Sequence, residues 1–179
     1  YWLPDVGQKF GGGGIGYCPT FDQGKKIPKM DYLTNEITKH ACDFIDQNKD
    51  QPFFLYLNHH CCHVPLQVPK NVYDKYAKLG YGEKATISRA MYEVMDDGLG
   101  DVMDKLEEYG ITKDTIIIYT SDNGGAVPSG PLNWPYKGSK FTMLEGGLKV
   151  PFIISWPGKL PHNKTYGYPV MHMDMLPTS

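Results

Sequence analysis

Two kinds of apolar spacing alternate along this chain, and each predicts a different element. Ile37, Ala41, Phe44 and Ile45 recur every three or four residues, which places them on one side of a helix whose start Thr34 can cap. The polar stretch 48–51 ends it. From about residue 85 to 109, Ile87, Ala90, Met91, Val94, Met95, Leu99, Val102, Met103 and Leu106 keep the 3.6-residue period of a second, longer helix, with Gly110 as its C-terminal cap. Elsewhere the apolar residues are consecutive: Phe53-Phe54-Leu55-Tyr56-Leu57, then Thr115-Ile116-Ile117-Ile118-Tyr119, then Pro151-Phe152-Ile153-Ile154-Ser155-Trp156. Such runs suit short strands covered on both faces.

Strands alternating with amphipathic helices argue an α/β fold with a mostly parallel central sheet and helices on both faces. Residues 1–30, rich in glycine and proline, read as an irregular segment, and residues 31–179 as part of one domain. In sheets of this kind ligands gather beyond the carboxyl ends of the strands. Two loops occupy that position, 59–69 and the turn Ser121-Asp122-Asn123-Gly124-Gly125. Lys140 precedes the third strand and reaches the same edge if its long connection folds back.

Charge narrows the partners. Basic residues number 18 against 20 acidic, so there is no broad basic surface for a nucleic acid or an anionic membrane. No apolar run approaches the roughly 20 residues of a membrane span. Cys18, Cys42, Cys61 and Cys62 are too unevenly placed for a disulfide framework. Because the chain opens on Tyr1 and closes soon after a motif, it is expected to be incomplete at both ends.

Three places carry candidate chemistry. Asp122 and Asn123 offer a carboxylate and an amide oxygen side by side, hard ligands suited to calcium or magnesium, although Asp-Asn-Gly-Gly is also ordinary turn chemistry. Two ligands cannot saturate an ion that takes about six to eight oxygens, so others must come from elsewhere. In His59-His60-Cys61-Cys62-His63, neighbouring side chains on an extended segment point in opposite directions, which argues against a zinc site. His63 stands out because Val64-Pro65 imposes an extended exit that displays its imidazole. Lys140, among glycines, can present an ammonium to an anion. The acids Asp96 and Asp97 fall with Glu93, Asp101, Asp104 and Glu108 on the polar side of the long helix, which reads as a solvated face.

Taken in order, these segments resemble the type I sulfatases of the alkaline-phosphatase superfamily, and within them the arylsulfatase B-like enzymes that act on sulfated glycans. The stretches that carry the resemblance include His63-Val64-Pro65-Leu66-Gln67-Val68-Pro69, Asp96-Asp97-Gly98-Leu99-Gly100, Ser121-Asp122-Asn123-Gly124-Gly125, Asn133-Trp134-Pro135, Lys140 with Glu145-Gly146-Gly147, Val150-Pro151-Phe152, Trp156-Pro157-Gly158 and Asp174-Met175-Leu176-Pro177-Thr178. They cover about residues 30–179, and their order makes them more specific than any one motif.

The resemblance implies an alkaline-phosphatase-like sheet and a sulfuric ester hydrolase that uses Ca2+ in preference to Mg2+. It implies Asp122 and Asn123 as metal ligands, His63 and Lys140 as catalytic residues in contact with the sulfate, and His60 as a further substrate contact. It further implies a sulfated glycan or other sulfate ester as partner and a periplasmic, extracellular or lysosomal setting. The nucleophile of such enzymes is a formylglycine made from the cysteine of Cys-x-Pro-Ser-Arg. That motif does not occur here, so formylglycine is expected upstream, outside this chain, and these residues alone are expected to be inactive. Two other readings remain: a phosphoester or phosphonate hydrolase of the same superfamily, and a non-catalytic glycan-binding relative.

Overall fold

The computed structural model describes residues 21–22, 25–26, 32–126 and 133–178. Of the irregular segment expected at 1–30, only two pieces fall among them. These are β1 (Phe21–Asp22) and β2 (Lys25–Lys26), which pair antiparallel. The rest of that segment lies outside the described residues.

The first helix, α1 (Leu33–Asn48), starts one residue before Thr34, with extended Tyr32 at the cap position. Thr34 is instead buried in the first turn, where it extends the inward stripe Thr34, Thr38, Ala41, Ile45. Burying two threonines is tolerated because the Thr38 hydroxyl donates to the Thr34 carbonyl at 3.0 Å, which satisfies its polar atom locally.

After α2 (Lys70–Ala77), the long helix α3 (Glu83–Glu108) runs its buried stripe through Ile87, Ala90, Met91, Val94, Gly98, Val102 and Leu106. Its end is a Schellman motif. Gly110, at φ +67°, donates to Glu107 O and Ile111 N donates to Leu106 O, a reversal that glycine adopts without Cβ strain. Helices α1 and α3 approach closely at Gly98, where a Cβ would stand 2.3 Å from Thr38 Oγ1.

Apolar burial forms two clusters. One gathers Tyr32, Leu66, Val68, Val72, Ile87, Ala90, Met91 and Val94, so the loop after 65 helps close α2 onto α3. The other joins Ala41, Ile45, Val102 and Leu106 to half-buried Phe53, Leu55, Leu57 and Ile117.

A 3-10 turn (Thr112–Asp114) leads into β3 (Ile117–Thr120). Beyond it come the four-residue α4 (Glu145–Leu148) and β4 (Phe152–Ser155). Of the central sheet expected from sequence, β3 and β4 are the part present among the described residues. They pair antiparallel, from Ile117 opposite Ser155 to Thr120 opposite Phe152. A parallel return needs a substantial crossover helix, and the only described helix between them spans a single turn. The run 53–57 has strand-like alternation but no ladder among the described residues. Phe53, Leu55 and Leu57 turn toward the helices, while Phe54 and Tyr56 are 86% and 77% exposed. Among the described residues, then, helices cover one face of this layer.

The chain ends in a second 3-10 turn (His172–Asp174) and α5 (Met175–Thr178). His172 Nε2 lies 3.2 Å from Thr120 Oγ1, so this end is tied to the exit of β3. No described helix is long and apolar enough to cross a membrane.

Candidate active site

The exit of β3 is a tightly self-bonded turn. The Asn123 N–H donates to Asp122 Oδ1 at 2.9 Å, Ser121 Oγ donates to Asn123 O at 3.0 Å, and Asn123 Nδ2 donates to Gly124 O at 2.9 Å. With its nitrogen so engaged, the Asn123 carboxamide has its oxygen left to offer, and the exposed Asp122 keeps its second carboxylate oxygen.

Against this turn packs the segment that carries Lys140, and the contact is backbone on backbone. The Gly124 N–H donates to Gly147 O at 3.0 Å, and a Cβ on Gly124 would fall 1.8 Å from Gly146 O. Glycine is therefore required there by space. Gly146 N donates to Lys137 O at 2.7 Å, and Lys140 N donates to Gly125 O at 3.2 Å.

Asn133 fastens the assembly. Its Nδ2 donates to Gly125 O and to Gly138 O, each at 3.0 Å, and its Oδ1 accepts from Gly125 N at 2.8 Å. One side chain thus clamps the metal-ligand candidates to the lysine loop. The sequence reading gave Asn133 no role. Its only signal was its place in a motif, because three hydrogen bonds across 13 residues leave no periodicity to read.

His63 belongs to a separate loop. Its N–H donates to His60 O at 2.8 Å, its Nδ1 donates to Val64 O at 2.9 Å, and His60 Nε2 donates to the same carbonyl at 3.2 Å. A carbonyl can only accept, so Nδ1 of His63 carries a proton and Nε2 is left outward. The two imidazoles lie 5.3 Å apart.

Between them, Cys61 and Cys62 pack on the first apolar cluster. The hydrogen bond between the two thiols, together with burial, pushes Cys61 up. Burial, and then the Cys61 thiol, also push the Tyr119 hydroxyl up. Among the described residues no hydrogen bond joins His63 to the Asp122–Lys140 frame. The structure therefore joins the Lys140 backbone to the Asp122-Asn123 turn through Gly125, and leaves His63 and His60 on a separate loop.

Asp122 and Asn123 fit a hard cation in donor type, as two oxygens held by one turn. They fill only part of its shell. No group of three or more His, Cys, Asp or Glu among the described residues forms a metal site. A groove of about 570 Å3 between α1 and α3, walled by Lys39, Asp97, Asp101 and Asp104, includes none of the five candidate residues.

Known proteins resemble this chain over most of its length. A family profile described as Sulfatase matches residues 8–179. The uncharacterized sulfatase YdeN of Escherichia coli is 33% identical over 164 residues, 89% of this chain and 29% of that protein. The N-acetylgalactosamine-6-O-sulfatase of Bacteroides thetaiotaomicron is 33% identical over 150 residues, 76% of this chain and 28% of its own length. The solved structure of Ps i-CgsB in complex with k-i-k-neocarrahexaose superposes with a TM-score of 0.85 at 31% identity, covering 90% of this chain and 36% of that one. This chain thus spans less than a third of these curated relatives, and the α/β fold it shares with the solved structure is that of a larger unit.

Proposed function

The chain belongs to the sulfatase family, and on that premise we propose that the whole protein hydrolyses sulfate esters, with a sulfated glycan as its substrate. The observation that carries the reading is the single hydrogen-bonded frame in which Gly125 and Asn133 hold Lys140 against the Asp122-Asn123 turn. A lysine whose backbone is hydrogen-bonded to the turn bearing two hard oxygen ligands suits a site where an anion meets a cation. The names of the galactosamine sulfatase and of the neocarrahexaose complex support a glycan over a small aryl sulfate.

Asp122 and Asn123 would hold calcium, with further ligands from outside these residues. The ion, when bound, supplies positive charge to the sulfuryl oxygens. As the S–O bond breaks, negative charge grows on those oxygens and on the departing sugar oxygen. The Lys140 ammonium stabilises the first. His63, its Nδ1 held by Val64 O, offers a protonated Nε2 to the second as general acid. His60, 5.3 Å from it, lines the same approach as a substrate contact. The nucleophile is assigned to a formylglycine upstream of these residues.

The test uses the full-length protein. Sulfate release is followed with a sulfated hexasaccharide and with 4-nitrophenyl sulfate, each in parallel with the corresponding phosphate ester. Lys140→Ala is expected to lower kcat/KM by about 10²–10³ on both sulfates. His63→Ala should cost about 10²–10⁴ on the sugar sulfate and far less on the nitrophenyl ester, whose leaving group needs no proton. Wild-type turnover by the Lys140 variant would refute the assignment.

A further inference from the structure

The turn that presents Lys140 contains a placement that packing does not explain. Ser139-Lys140-Phe141-Thr142 is closed by Thr142 N donating to Ser139 O at 3.0 Å. The Thr142 hydroxyl strengthens it, donating to Ser139 O at 2.8 Å and accepting from Ser139 N at 3.1 Å. This closure holds Phe141 at φ +73°, in the third position of a turn, where glycine is the residue without strain. The Phe141 side chain is 93% exposed, so among the described residues no burial of the ring offsets that strain. Strain that local packing leaves uncompensated is a mark of a functional position.

The ring also has a defined neighbour, since Lys140 Nζ lies 5.5 Å from its centroid. An anionic group seated at Nζ therefore stands next to the Phe141 ring. The surrounding charge selects the occupant. Residues 133–149 carry Lys137, Lys140 and Lys149 against Glu145 alone, and Glu145 is paired with Lys149 at 2.6 Å. A positive strip around an exposed ring suits a polyanionic sugar, which has sulfate for the lysines and an apolar C–H face for the aromatic surface.

We propose that Phe141 is a stacking subsite for the sugar ring whose sulfate is held at Lys140. The proposal rests on the sulfatase reading of Lys140. It adds a specificity-determining residue that reads the carbohydrate and leaves the sulfate to the lysine.

In the full-length protein, Phe141→Gly removes the ring while giving φ +73° to the residue that accepts it, so the melting temperature should hold or rise. Affinities for k-i-k-neocarrahexaose, for a chondroitin 6-sulfate tetrasaccharide and for inorganic sulfate are measured by calorimetry. The ratio of glycan to sulfate affinity should fall about tenfold in Phe141→Gly and return in Phe141→Trp. An unchanged ratio overturns the subsite, as does a wild type that binds sulfate and neither glycan. A lowered melting temperature overturns it as well, because the ring would then be a packing contact with the rest of the protein. Failure of the sulfatase reading shows separately, as a Lys140→Ala variant that binds sulfate like the wild type.

Discussion

The helices and the loops of this molecule are held by different means. Between α1, α2 and α3 the material is apolar burial: Ile45, Leu66, Val68 and Ile87 are almost wholly enclosed, each contributing about 1.5–3 kcal/mol. From residue 121 to 149 the buried residues among those described are Gly124, Ser139, Gly146 and Gly147, with no apolar side chain among them. Trp134, Phe141, Met143 and Leu148 there are exposed. That region is held instead by backbone hydrogen bonds, one clamping asparagine and glycines too close to neighbouring carbonyls to carry a Cβ. The helical region should accept changes that conserve shape. The loop region should reject even one inert methyl group.

The sharpest way to break this comparison is Gly124→Ala. A backbone carbonyl 1.8 Å from the new Cβ cannot yield as a flexible side chain would, so the cost should exceed about 4 kcal/mol, read by denaturant unfolding. A loss under 1 kcal/mol would show that the loop frame is far softer than its contacts imply. Next comes Ile45→Ala, a cavity in the second apolar cluster, expected to lose about 3 kcal/mol by the same measurement. Near-neutrality there would remove the apolar account of the helices.

The smallest effect is one of charge. Tyr109 donates to Asp46 at 2.8 Å and Lys105 stands 3.3 Å away, and these two contacts hold the Asp46 carboxyl below its usual range. A carboxyl lowered in the folded state stabilises above its unfolded value, about pH 4, and that stabilisation fades as pH falls through the folded value. The gap in melting temperature between wild type and Asp46→Asn seen at pH 7 should therefore narrow as pH falls towards 3. A gap that is the same at both pH values counts against the pair.

Legibility from sequence follows the same division. The long helix was readable because a 3.6-residue period repeated over seven turns states which side is buried, and Gly110 marked its end. Thr34 and Thr38 escaped that reading. Counting apolar residues passes over a threonine, and only the close approach of Gly98 shows why Thr38 lies inward. The positions of β3 and β4 were readable from their apolar runs, but their mutual direction was not. Pairing depends on whether the intervening 31 residues return the chain parallel or reversed, and a run of isoleucines is the same either way. Asp122, Asn123, His63, His60 and Lys140 could be chosen as candidates from residue type and motif order.

Composition and pattern thus settled the two longer helices, which runs are extended and which side chains have chemistry to offer, since those depend on residues a few positions apart, but passed over α2. The tertiary structure decided that β3 and β4 run antiparallel, that Asn133 clamps Lys140 to the Asp122-Asn123 turn, and that Phe141 stands strained and bare beside it. These depend on contacts between atoms distant along the chain. Such contacts are made by glycine gaps and single hydrogen bonds that repeat with no period a sequence could display.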